Sequence, residues 1–408
     1  MLMRTLIRDA QIFDGSGSAP QRGSVLVDGN RIAKVALGVD GLAGEAADTV
    51  IGAAGRTLMP GLVEAHAHLT WASSVEKIYH QFILPPEELK EAARRNARVL
   101  LDHGFTSAYS AGALGDGIEV ELVKAIEAGE TPGPRLVPST LERSPEGAEG
   151  VETGDVFNGR GPDAIRKFVS YCKDQGIGSI KLVVSGEDAL KPGSAKEVLY
   201  TDEEMEAAGV AARDAGLWIA THAYYPEAIR LALKAGARII YHASYADDAA
   251  ADAMVAAKET TFYAPSPGVS IAALEASPPP HIDMSHMKAS AAERMKLESK
   301  LVPALKARGV RILIGGDYGF PFNPNGRNAR DLEIFVEHFG YTPAEALTAA
   351  TKLGGELMDL QVGQVKEGFL ADLLLVDGDP TQDVSILQDK DRLTMIMKDG
   401  ALYKSPAA

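Results

Sequence analysis

The sequence predicts an α/β chain: a (β/α)8 TIM barrel with a small β-sandwich domain formed by both termini. Two observations lead there. Through the middle of the chain, eight short apolar, strand-like segments alternate with helix-like segments, and such alternation implies a parallel sheet. Eight repeats suggest that the sheet closes on itself. Both ends read instead as strands joined by tight turns. A doubly wound open sheet is the alternative, but no Gly-rich phosphate-binding turn follows the first strand.

The N-terminal strands are 5–12, which alternates until Gly15 and Gly17 break it, then 24–28 and 31–37, joined by the hairpin signal Asp28-Gly29-Asn30. At the other end, 371–376 is an apolar strand, Asp377-Gly378-Asp379-Pro380 is a turn, and 395–403 carries a hairpin at Lys398-Asp399-Gly400. The expected division is therefore 1–56 with 361–408 in the small domain and 57–360 in the barrel. The expected barrel strands are 57–63, 106–110, 135–139, 179–184, 217–222, 238–242, 261–265 and 311–316. Helices are expected at 86–103, 117–129, 163–176, 202–216, 226–236, 247–258 and 290–309. Several end in Gly, and Asp247 and Ser290 suit the N-caps of the last two. Two long loops, 140–162 and 265–289, follow strand ends; each is either a lid or plain surface.

Composition narrows the class. Of 408 residues, 46% are hydrophobic and 24% charged, an ordinary globular balance. The net charge of −15, without a basic stripe, argues against nucleic acid. No run of about 18 apolar residues suggests a membrane span. No signal-peptide pattern opens the chain, and a cytoplasmic protein is expected. The one cysteine, Cys172, excludes an internal disulfide and a multi-cysteine metal site; it reads as a small core side chain.

The chemistry lies at the strand ends. His66-Ala67-His68 closes the first barrel strand, and side chains at i and i+2 share a strand face. His222 closes the fifth strand, His242 the sixth, and Asp317 follows the eighth. Four of nine histidines thus meet an aspartate on the rim where barrel active sites are built. Lys181 lies inside the fourth strand, in Ser179-Ile180-Lys181-Leu182-Val183. A buried, unpaired ammonium would carry a heavy desolvation cost. Either a carboxylate pairs with it, or CO2 has converted it to an anionic carbamate able to bridge two cations. The remaining histidines, His80, His103, His338, His281 and His286, read as surface, packing or loop residues.

Together these residues resemble the amidohydrolase superfamily of metal-dependent hydrolases. The resemblance runs from Pro60-Gly61-Leu62-Val63-Glu64-Ala65-His66-Ala67-His68 through Lys181, His222, His242 and Gly315-Gly316-Asp317 to Ala371-Asp372-Leu373. It is nearest to the binuclear carbamylated-lysine branch of Xaa-Pro dipeptidase-like, arginine/lysine carboxypeptidase-like and ochratoxin-type amidases, with imidazolonepropionase more distant. The resemblance implies that His66, His68 and Asp317 hold one divalent ion, His222 and His242 a second, and carbamylated Lys181 and a hydroxide bridge both. Zn2+ suits that ligand set, with Mn2+, Co2+ or Fe2+ as alternatives. It further implies amide hydrolysis by metal-bound hydroxide, with Asp317 carrying the proton to the leaving amine. A homo-oligomer is implied as well.

The substrate shell is read from residues just past the strand ends. Trp71, Tyr224, Tyr225, Tyr245 and Tyr318 form an expected aromatic surround, with Phe320 and Phe322 beyond. Tyr224 is placed to reach a carbonyl or carboxylate, and Arg143 to pair with a carboxylate. Two departures from the superfamily stand out. The loop after strand three reads Thr140-Leu141-Glu142-Arg143 without the usual histidine, and Ala223-Tyr224-Tyr225-Pro226 follows the fifth-strand ligand. Dipeptide-like, N-acyl amino acid and aryl or xenobiotic amides are all open as substrates. A cyclic-amide (imidazolone-type) hydrolase is the nearest alternative. Lys181 argues against a mononuclear deaminase, and the filled ligand set against a non-catalytic scaffold.

Overall fold

The computed structural model describes residues 3–39, 41–75, 84–145, 158–188 and 191–406. His80 and most of the loop 140–162 lie outside the described residues. The strands begin with β1 (Arg4–Ile12), β2 (Gln21–Asp28), β3 (Arg31–Leu37), β4 (Thr49–Gly52) and β5 (Thr57–Pro60). Eight follow through the middle: β6 (Leu62–Ala67), β7 (Phe105–Ser110), β8 (Arg135–Val137), β9 (Ser179–Val183), β10 (Trp218–Ala223), β11 (Ile239–His242), β12 (Phe262–Ala264) and β13 (Arg311–Ile312). The last are β14 (Leu373–Val376), β15 (Leu393–Lys398) and β16 (Ala401–Lys404).

Both termini enter one mixed eight-stranded sheet, in the order β16-β15-β14-β5-β1-β2-β3 with β4 beside β1. Its turns follow from local residues. Asp399 and Gly400 both have positive φ (49° and 73°), the geometry of a two-residue hairpin whose twist matches its strands. Alternation sorts the side chains: Leu373, Leu375, Met395 and Met397 pack with Ile7 and Val25, whereas Leu374 and Ile396 join the main core.

The expected first barrel strand, 57–63, is in fact two strands. Thr57–Pro60 pairs with β1 and β14 in the terminal sheet, and Leu62–Ala67 pairs with β7. The break falls at Gly61, where a Cβ would sit 2.1 Å from Thr106 Oγ1. Its N–H donates to the Asp372 carbonyl at 2.9 Å, away from the β6–β7 ladder. A continuous apolar run therefore concealed a change of sheet.

The eight middle strands run parallel in two sheets, β6-β7-β8 and β9-β10-β11-β12-β13. At one junction the chain beyond β8 pairs with β9: Arg143 N–H donates to the Lys181 carbonyl (2.9 Å), and Val183 N–H to the Arg143 carbonyl (3.0 Å). At the other, a single parallel bridge joins Ala67 to Tyr318.

Helices fill the connections. Thr201 starts Asp202–Ala215 with a capping box closed by Glu204, and Asp247 caps Asp248–Ala256 as expected. Ser290 is not a cap. That helix spans Ser285–Ala307, and Ser290 Oγ faces Asp188 Oδ2 at 3.5 Å. The loop 265–289 contains a further helix, Pro267–Glu275, whose small and apolar residues carry no amphipathic stripe by which to find it. Among the described residues no helix is long and apolar enough to cross a membrane.

A partly buried ion-pair cluster ties the terminal sheet to the parallel strands. Arg135, at the start of β8, donates to Asp372 Oδ2 (2.6 Å) and to Asp399 Oδ1 (2.5 Å), and Asp372 also accepts the Asp399 N–H. Asp372→Asn removes the buried one of the two carboxylate charges that neutralise half-buried Arg135. It should lower unfolding free energy by about 2 kcal/mol, measured by urea denaturation; an unchanged midpoint would contradict this role.

Candidate metal centre

Six polar residues converge at the C-terminal ends of the parallel strands. β6 supplies His66 and, one residue beyond, His68; β9 supplies Lys181, β10 His222 and β11 His242; Asp317 follows β13. All six are buried. The ring centroids of His66 and His68 are 5.1 Å apart, those of His66 and His242 5.4 Å, and those of His222 and His242 4.6 Å. His242 and Asp317 both adopt left-handed backbone (φ 73° and 62°), which turns their side chains inward at the strand ends.

The hydrogen bonds fix where the lone pairs point. His68 Nδ1 lies 2.9 Å from the Gly112 carbonyl, so it carries the proton and leaves Nε2 bare. His66 Nδ1 lies 2.7 Å from Ser266 Oγ, whose own hydrogen goes to the Ala264 carbonyl. His66 Nε2 is therefore also bare. These two nitrogens sit 3.3 Å (His66) and 3.0 Å (His68) from the same oxygen, Asp317 Oδ1, which is buried and has no hydrogen-bond partner among the described residues. Two imidazole lone pairs facing one carboxylate oxygen in a water-poor pocket repel unless a cation lies between them. His66, His68 and Asp317 are thus a fitting cage for a metal ion, with ligand atoms within 4.8 Å of one another.

Lys181 Nζ occupies the middle of the cluster. It donates to the Ala111 carbonyl at 2.7 Å and lies over the Tyr241 ring at 4.6 Å. The Glu142 carboxylate lies 3.9 Å from Lys181 Nζ and 3.9 Å from His68 Nδ1. Burial, then the Lys181 charge, holds His66 well below the usual imidazole range and takes His222 to about 4. Burial and the neighbouring His222 do the same to His242. For His68 burial pulls down, but the negative charges of Asp317 and Glu142 outweigh it, and the group is raised. Three of the four histidines are thus neutral at pH 7.

The aromatic residues are divided. Trp71 meets His68 edge-on (5.5 Å) and Phe320 (4.5 Å); Tyr224 stacks on His242 (4.5 Å) and donates its hydroxyl to Glu187 Oε2 at 3.2 Å. Tyr245 lies 6.3 Å beyond Tyr224, near Glu293, and half-buried Tyr225 is the N-cap of helix Pro226–Ala235. Tyr318 turns its hydroxyl under the cluster, to Asp331 Oδ1 at 2.8 Å. Arg143 is not among the histidines. Its guanidinium is fully buried between Phe168 and Tyr200 and donates to Tyr200 Oη and the Gly159 carbonyl, so the carboxylate-binding position expected for it is corrected. The reason is register: Arg143 bridges Leu182, which faces the helices, while the adjacent Glu142 faces inward with Lys181.

Sequence reasoning missed Glu142, Glu187, Arg294 and Ser266. Arg294, on helix Ser285–Ala307, is buried 5.5 Å over the Tyr224 ring and 3.9 Å from Glu187. The parity of Arg143 was a signal for Glu142. The others come from loops and from a helix far along the chain, where no local pattern marks them.

Residues 57–402 match the amidohydrolase family. The chain belongs to that family. The chain is an enzyme, a hydrolase acting on carbon–nitrogen bonds. It is 26% identical to ochratoxinase of Aspergillus niger over 379 residues, 86% of this chain and 76% of that protein. It is 25% identical to imidazolonepropionase of Rubrobacter xylanophilus, over 95% of each chain. A solved Xaa-Pro dipeptidase with methionine bound in its active site superposes with a TM-score of 0.88 at 26% identity, over 98% of this chain and all of that one.

The depressed histidines predict acid sensitivity. Unfolded, each binds its proton near pH 6.5; folded, His222 binds one only near 4. The stability contributed is present above 6.5 and lost as pH falls toward 4, by up to about 1.4 kcal/mol per pH unit for each histidine. Urea denaturation of metal-stripped protein between pH 7 and 4.5 should show that slope, and His222→Gln should reduce it. A flat profile would contradict neutral histidines.

Proposed function

We propose that the chain is a metal-dependent amidohydrolase that cleaves a carboxamide: peptide-like, N-acyl amino acid, or an aryl or xenobiotic amide. The observation that carries this is the pair of bare imidazole nitrogens aimed at one unpartnered carboxylate oxygen. His66, His68 and Asp317 would hold one divalent ion, and His222 and His242 a second, with Lys181, as its carbamate, between them. Zn2+ suits the donors, as would Mn2+, Co2+ or Fe2+. The two parallel sheets are read as one closed barrel, and the terminal sheet as a separate β domain hinged at Gly61.

Divalent ions bound there supply Lewis-acid polarisation of the substrate carbonyl and acidify water. The remaining work falls to the protein. Asp317 receives the proton of the attacking water and delivers it to the leaving nitrogen, which departs poorly as an anion. Asn323 holds the turn at Asp317 by donating to its carbonyl at 2.8 Å. Trp71, Phe320, Tyr224 and Tyr245 form apolar walls that exclude water and receive an aromatic or aliphatic group. Similarity over 95% of imidazolonepropionase keeps a cyclic amide as the second reading.

Metal analysis of protein purified without chelator should give about two equivalents per chain, falling sharply in Lys181→Ala. One equivalent, unchanged in that variant, would remove Lys181 from the centre. Asp317→Asn should lower kcat on a hydrolysed amide by about 10²–10⁴-fold; full activity with metal retained would remove the proton-transfer role.

A further inference from the structure

The junction between β13 and β6 is where His66, His68 and Asp317 meet, and it has little ladder. One bridge, Ala67 to Tyr318, joins the two segments. The strands are nevertheless pressed together: a Cβ on Gly315 would lie 2.8 Å from His66 Cβ and 3.0 Å from His66 N. Two amides that a regular ladder would pair with carbonyls donate to buried carboxylates instead. His66 N–H donates to Glu64 Oε1 (2.9 Å), and Gly315 N–H donates to Asp331 Oδ2 (3.1 Å).

Both carboxylates are held from the same segment. Asn328 Nδ2 donates to Glu64 Oε2 at 2.6 Å, and Asp331 N–H donates to the Asn328 carbonyl at 3.2 Å. Tyr318 Oη donates to Asp331 Oδ1 at 2.8 Å. A Cβ on Gly316 would fall 2.3 Å from Asp331 Oδ1, so glycine there admits the carboxylate. Asn323 Nδ2 then donates to the Gly316 and Asp317 carbonyls (3.0 and 2.8 Å). The left-handed turn at Asp317 is thus held before and after the residue.

We propose that Asp331 and Glu64 are positioning residues: a carboxylate clasp that replaces the missing ladder and sets the separation of Asp317 from His66 and His68. The clasp touches neither substrate nor the reacting atoms. It acts through the backbone, fixing where three ligand atoms point. It rests on the metal-dependent reading above, but its geometry concerns this chain alone.

The test compares Asp331→Asn and Asn328→Ala with wild type and with Asp372→Asn, which loses a buried carboxylate at the Gly61 end of β6, the end opposite His66. Zn2+ affinity is read by competition with a chromophoric chelator. Both junction variants should bind 10–100-fold more weakly, the range for groups that orient ligands, and Asp372→Asn should bind like wild type. Unchanged affinity in Asp331→Asn and Asn328→Ala overturns the proposal. So does an equal loss in Asp372→Asn, since general destabilisation would then explain it. Hydrogen exchange of the metal-stripped proteins decides independently: faster exchange confined to 62–68 and 311–318 in the junction variants supports the clasp, and unchanged exchange there overturns it. A wild type without Zn2+ affinity would sink the metal reading, while exchange still judges the clasp. If Asp331→Asn fails to fold, Asn328→Ala carries the comparison.

Discussion

The centre depends on electron-rich atoms held at distances they would not choose. Asp317 Oδ1 faces two bare imidazole nitrogens across 3.0 and 3.3 Å. Such an arrangement does not persist by attraction among its members. It persists because each member is anchored from behind: His68 by the Gly112 carbonyl, His66 by Ser266, Asp317 by a clamped turn. The fold is organised to bring these anchors together, and a cation is what the resulting space can hold.

The anchoring explains the mixture of elements. Strands place His66, Lys181, His222 and His242, since a strand fixes side-chain direction by parity. Loops and helices place the partners: Ser266 before helix Pro267–Glu275, Glu187 after β9, and Arg294 on helix Ser285–Ala307. Aromatic rings fill the gaps. Tyr241 stacks on His66 at 3.8 Å and donates to the Ala65 carbonyl, so one ring packs His66 and steadies its strand. Removing such a group would loosen the imidazole without touching chemistry.

Much of this was legible in the sequence, and the limits are instructive. The six ligand candidates were readable because each closes or interrupts an apolar strand, where polarity is conspicuous. Lys181 was readable for the same reason. The division at Gly61 was not, because both strands flanking it are apolar and only pairing partners distinguish them. Arg143 was chosen over Glu142 because parity at the β8–β9 junction depends on a bridge to Leu182 that lies 39 positions away in the chain. Helix Pro267–Glu275 was hidden because it is apolar on all sides. Patterns within a segment survived; relations between segments did not.

The backbone at the site repeats the lesson of its side chains. His242, Ser266 and Asp317 all have positive φ, at 73°, 62° and 62°. Each left-handed residue other than glycine costs about 1–2 kcal/mol, and three neighbours sharing it are not a local accident. A strand continuing straight would carry its last side chain up and away from the axis. A left-handed residue turns the chain at the strand end and aims the side chain inward. The strain is tolerable only where other contacts hold the turn, and these are present: Tyr263 Oη donates to the His242 carbonyl at 2.7 Å, and Asn323 to that of Asp317 at 2.8 Å. Aspartate and histidine also enter this region more readily than other side chains. The residue types suited to ligate a metal are here the ones best able to make the turn that presents them.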